Sequence, residues 1–102
     1  MKVVSAPRRQ RSALENFARW FHQDFFVAFP DIHVGGAAYR SQLSRAQRRS
    51  LREELAAFLA RHEGASEKAL RRAWFKLGAD AWPPRCNTRA ELLTFMTELG
   101  ER

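Results

Sequence analysis

Ser12-Ala13-Leu14-Glu15-Asn16-Phe17-Ala18-Arg19-Trp20-Phe21-His22-Gln23-Asp24-Phe25-Phe26 decides the fold class. Leu14, Phe17, Ala18, Phe21 and Phe25 fall at i, i+3, i+4, i+7 and i+11, and at about 100° per residue they make one apolar stripe. Ser12 with Glu15 three residues on has capping-box spacing, so a helix opens at Ser12 and the stripe carries it to Phe25. On such a helix His22 and Asp24 flank the stripe on opposite sides and Gln23 points away from it. No His–Asp couple for acid-base chemistry forms there, and the three polar residues read as a recognised surface or as a corner.

The same signals recur downstream. Ser44 and Gln47 open a helix to about Glu63, with Leu51, Leu55, Phe58, Leu59 and His62 on one face and Gly64 ending it in the left-handed conformation. Ser66 caps the next, in which Leu70, Ala73, Trp74 and Leu77 repeat the helical spacing up to Gly78. Past a Pro-rich corner from Ala79 to Asn87, Thr88 and Glu91 open the last helix, whose buried side is Leu92, Leu93, Phe95, Met96 and Leu99. Between Phe26 and Leu43 the periodicity fails at Pro30 and Gly35-Gly36, leaving a long irregular loop with a short helix over Ala37 to Leu43 at most. With no alternating strand pattern, the expectation is all-α: a single-domain bundle of about four helices over residues 12–102, preceded by a flexible basic arm over residues 1–11.

At 102 residues the chain has room for one core, and 45% hydrophobic content with three Trp can fill it. No run is long enough to span a membrane, and the start is too short in apolar residues for a secretory segment, so a cytoplasmic, non-membrane protein is expected. A single cysteine, Cys86, allows no internal disulfide and fits a reducing compartment. It reads as an ordinary free thiol, although neighbouring Arg85 and the coming helix start would favour a thiolate.

Net charge is +7, and all of the excess lies in residues 1–52. A field of that sign attracts nucleic acid or an acidic protein surface and chiefly accelerates association. Arg45, Arg48, Arg49 and Arg52 line one side of the second long helix in its first two turns, where cations oppose the helix dipole and only Arg49–Glu53 offers an in-helix pairing. Lys68, Arg71, Arg72 and Lys76 form a second basic face. The two helices joined at Gly64-Ala65-Ser66 also allow a helix-turn-helix reading, but the candidate reader exposes almost no Asn, Gln, Ser or Thr to discriminate base edges, which leaves sequence-blind phosphate binding as the nucleic-acid alternative. His22, His33 and His62 lack the close ligand spacing of a zinc site, and no hydrolase or phosphate-loop motif is present, so neither cofactor, metal nor enzyme activity is expected. His22 is expected to close a corner by bonding the Phe26–Pro30 backbone, and His62 to be half-buried and hydrogen-bonded.

Phe21-His22-Gln23-Asp24-Phe25, followed by Leu51-Arg52-Glu53-Glu54-Leu55, Leu77-Gly78 and Trp82-Pro83, resembles the small immunity proteins of bacterial contact-dependent growth inhibition, over roughly residues 14 to 99. The resemblance implies a cytosolic helical protein that binds and blocks the toxic C-terminal domain of a cognate effector, commonly a nuclease. A monomer forming a 1:1 heterodimer is expected, with Arg45, Arg48, Arg49, Arg52, Arg71, Arg72, Lys76, Gln23 and Asp24 as partner-binding candidates. Trp20 and Trp82 read either as edges of the core or as aromatic anchors.

Overall fold

In the computed structural model, which describes residues 11–100, the first helix stops short of its own apolar stripe. Helix α1 runs Ala13–Trp20 from a full capping box, the Glu15 amide donating to Ser12 Oγ at 3.1 Å and the Ser12 amide to Glu15 Oε1 at 2.9 Å. It ends because the Phe21 carbonyl accepts two amides from the Pro-rich corner, Asp80 at 2.7 Å and Ala81 at 2.9 Å. In a helix continuing to Phe25 that carbonyl would serve the Phe25 amide. The Phe25 amide instead donates to His22 O at 2.8 Å, and α2, Phe25–Ala28, begins. Phe21 and Phe25 are nonetheless fully buried, so the stripe persists as a core surface across two helices.

The stretch expected as a loop is largely helical. Asp31 caps α3, Ile32–Ser41, with one carboxylate oxygen accepting from both His33 N and Val34 N at 2.9 Å. Gly35 and Gly36, the expected breakers, lie inside α3 because it passes very close to two aromatic rings: a methyl group at Gly35 would run into the Phe25 ring and one at Gly36 into Phe95. Then come α4 (Arg45–Arg61), α5 (Glu67–Lys76) and α6 (Thr88–Leu99), giving six helices and no strand among the described residues instead of about four. Of the basic arm expected over residues 1–11, all but Arg11 lies outside the described residues.

Helix ends differ in detail. α4 stops at Arg61, and Gly64 is not left-handed; among the described residues only Gly78, at φ 129°, has positive φ, just beyond α5. Asn87 rather than Thr88 caps α6, its side chain accepting from Ala90 N at 2.9 Å, which frees Thr88 to turn inward. Leu93 is exposed, while Leu92, Phe95 and Leu99 are buried.

α4 packs against α1 and α6, and α5 packs on α6. The space between them is filled by aromatic rings in edge-to-face and tilted contact: Phe17–Phe21 at 5.2 Å, Phe17–Phe95 at 5.4 Å, Phe21–Trp82 at 5.2 Å and Trp74–Trp82 at 5.3 Å between centroids. Trp82 is thus a core residue, 6% exposed, and takes no place on the surface as an anchor.

Candidate partner-binding surfaces

The arginine stripe divides into residues that serve the fold and residues that face water. Arg48 donates to the Leu43 carbonyl just past α3 at 2.8 Å. The Arg52 side chain lies along Gly100 at the end of α6, a helix with no basic residue in its own last turn. Arg40 of α3 reaches the same end, donating to Glu98 O at 3.5 Å and lying 3.7 Å from its carboxylate. Arg89 of α6 in turn donates to His62 O at 2.5 Å and Leu59 O at 3.5 Å, at the end of α4. Helix C-termini carry unsatisfied carbonyls and partial negative charge, so Arg40, Arg52 and Arg89 are placed where the dipole favours them, on a neighbour's helix, whereas Arg48 serves the connection just before its own. In the sequence alone each arginine can be set only against its own helix. Arg45 and Arg49 remain exposed, and among the described residues neither forms an ion pair, including the expected Arg49–Glu53.

On α5, Arg71 turns away from the basic face. It donates to Glu67 Oε2 at 3.1 Å, Pro83 O at 2.8 Å and Cys86 O at 3.0 Å, tying the Pro-rich corner to the helix. Glu67 also accepts the Thr88 amide at 2.7 Å and the Thr88 hydroxyl at 2.6 Å, and that hydroxyl accepts Trp82 Nε1–H at 3.1 Å. Burial alone would raise the Glu67 carboxyl, but the bonds from Thr88 and Arg71 outweigh it and hold it below the usual carboxylate range. Cys86, half-buried beside this cluster, has its thiol pushed up by burial against the pull of Arg71, the opposite of an activated thiolate. Lys68, Arg72 and Lys76 stay exposed. α4 packs on α1 and α6 and α5 on α6, rather than on one another, so the two basic faces do not belong to a mutually packed helix pair.

A third surface has the opposite character. From Trp20 to Tyr39 the chain contains no Lys or Arg, although it has 18 in total. His22, Gln23 and Asp24 are exposed there. His22 Nδ1 accepts the Asp24 amide at 3.1 Å, so it closes the turn two residues ahead rather than bonding the Phe26–Pro30 backbone, and the Asp24 side chain makes no cap bond to α2. Beside them α2 exposes Phe26 (46%) and Val27 (87%), and the first turn of α3 exposes Val34 (47%). Trp20 borders this face half-buried, donating Nε1–H to Gly35 O at 2.8 Å and lying on Tyr39 and Phe29. His33 Nε2 meets Glu91 Oε1 at 2.8 Å on its other side. Phe26, Val27 and Val34 escaped the sequence reading because that stretch read as a loop; the run of twenty residues without a cation was the available signal.

Between the starts of α1 and α4 an open cleft of about 450 Å³ is lined by Ser12, Asn16, Tyr39, Gln47, Ser50 and Glu54 among others. Glu54 there accepts the Leu14 amide at 2.8 Å, completing the start of α1. Burial raises the Tyr39 hydroxyl, which therefore stays neutral. Among the described residues no group of three or more His, Cys, Asp or Glu converges as a metal site, and no helix is long and apolar enough to cross a membrane.

Fold and surface together define a small all-α domain with two basic helix faces and one segment, Trp20 to Tyr39, that exposes apolar side chains and holds no Lys or Arg. Within that class the chain belongs to the CdiI immunity protein family, whose model matches residues 10–99. No curated protein and no solved structure matches it.

Proposed function

We propose that the protein is the antidote to one toxin: as a monomer in the cytoplasm it forms a 1:1 complex with the toxic C-terminal domain of its cognate contact-dependent growth inhibition effector and occludes that domain's active site, the toxin being a nuclease. The observation that carries this reading is the family match across residues 10–99, which covers nearly every described residue. The protein acts by binding, without catalysis.

The test is to co-express the cognate effector's toxin domain with and without the protein, scoring cell survival, and to mix the purified pair for light scattering after gel filtration. Rescue with a 1:1 complex, and loss of nucleic-acid cleavage in the mixture, are the expected results. Growth arrest in the presence of the protein refutes the reading.

The exposed Arg45, Arg49, Arg72 and Lys76 give a second reading, nucleic-acid binding through phosphates. It requires that log affinity for duplex fall linearly with log salt, with a slope of about −0.9 per phosphate contacted. Absence of binding at low salt removes it.

A further inference from the structure

The face made by α2 and the first turn of α3 joins two properties found together nowhere else on the described surface. It carries three of the five exposed large hydrophobic residues, Phe26, Val27 and Val34, in a segment that makes up a fifth of the chain. The same segment, Trp20 to Tyr39, holds Asp24 and Asp31 and no Lys or Arg, against a net charge of +7 for the whole chain. Every basic helix face lies on another element: Arg45 and Arg49 on α4, Arg72 and Lys76 on α5.

We infer that this face is where the toxin docks, and that the surface it receives is a cationic one with an apolar centre. The inference rests on the immunity reading and gives it a location. Three arguments select the occupant. Apolar side chains exposed as a group, rimmed by polar ones, have the anatomy of an interface centre. Charge complementarity fixes the sign: all of the +7 excess lies in residues 1–52, and the longest stretch of that half without Lys or Arg is Trp20 to Tyr39, which holds Asp24 and Asp31, so a cationic partner is repelled by the arginines of that half and meets none here. Finally, the patch rests on a rigid base. Phe26 lies edge-to-face on buried Phe25 at 5.1 Å, and Gly35, next to Val34, is pressed against Phe25 and Phe29. Little side-chain or backbone order has to be created when a partner arrives. The Asp24 carboxylate, which caps no helix amide, is available to meet a cation.

The experiment uses the full chain and the toxin domain of its cognate effector. Dissociation constants and association rates are measured for the parent protein, Val27→Arg, Val34→Arg, Asp24→Asn and, as a control on the basic face, Arg45→Glu/Arg49→Glu. Val27 and Val34 are exposed, and circular dichroism with melting checks that these variants fold. Each valine variant is expected to weaken binding by about 30-fold or more, the size of an interface hot spot. Asp24→Asn slows association and flattens its salt dependence, while the α4 control changes affinity by about threefold or less, as peripheral residues do. If the parent does not bind the toxin, the immunity reading fails and this proposal with it. If the parent binds and both valine variants bind equally well, or the α4 control is the one that loses binding, the proposal alone is overturned. Gel filtration of the free protein supplies a separate outcome: a dimer that Val27→Arg converts to monomer would make the occupant a second copy and refute the toxin assignment.

Discussion

Replacing Thr88 by Val isolates the hydrogen bonds that hold the Pro-rich corner. Valine has nearly the shape of threonine, so the fully buried site stays filled, and the Thr88 amide keeps its 2.7 Å bond to Glu67. Two bonds are lost, from Trp82 Nε1 at 3.1 Å and to Glu67 Oε2 at 2.6 Å. Glu67 is 40% exposed, so water replaces much of what it loses. The Trp82 N–H is buried and is left without an acceptor, at a cost of about 1–3 kcal/mol, and with the weaker Glu67 contribution the expected destabilisation is about 2–3 kcal/mol. For a chain of this size that lowers Tm by about 10–15 °C. Thermal denaturation followed by far-ultraviolet circular dichroism at pH 7 measures it. Trp82→Phe in the Thr88→Val background removes the orphaned donor, so the double variant should be more stable than the sum of the two single effects by about 1–2 kcal/mol. A Tm within about 3 °C of the parent for Thr88→Val, or strict additivity in the pair, would show that the network contributes nothing.

Glu67 makes that corner pH-dependent: its folded carboxyl is held below the ordinary carboxylate value, so its stabilisation is complete above that value and is lost as pH falls through the folded one. The Tm gap between the parent and Glu67→Gln should therefore be largest near pH 7 and close in acid. Gly35→Ala should destabilise by about 1–3 kcal/mol through collision with Phe25, despite the better helix propensity of alanine, and urea titration reads the sign. Arg89→Gln, which strips carbonyl partners from the end of α4, and Arg48→Gln, which removes the bond to the Leu43 carbonyl between α3 and α4, should each lower stability by about 1 kcal/mol, whereas Arg45→Gln and Arg49→Gln should leave the melting curve unchanged.

The helical class and three of the helix starts were legible in the sequence because capping is local: Ser12 and Ser44 cap in the structure through the box spacing that marks them, and Ser66 caps by accepting the Ala69 amide. What was not legible depends on contacts between distant segments. The end of α1 is set by Asp80 and Ala81, nearly sixty residues away, and Gly35-Gly36 read as breakers because nothing local shows Phe25 and Phe95 pressing on α3. The surface candidates fared likewise. Trp82 and Arg71 are held by partners in the corner and in α6, and the place of Arg52 along Gly100 shows only once α6 lies beside α4.

Two helix ends are finished by a neighbour's arginine in a chain of three helices: α3 supplies the end of α6 through Arg40, and α6 that of α4 through Arg89. Unwinding α3 takes a ligand from α6, and unwinding α6 takes one from α4, so melting at one helix end propagates along the trio instead of remaining a local fray. Amide exchange should then divide the protein sharply, with α3, α4 and α6 opening together in one concerted event. A protease that cuts only opened backbone would find no half-open form of these three helices to attack. On the antidote reading, that is a direct advantage, since a molecule clipped at one end would leave its toxin free.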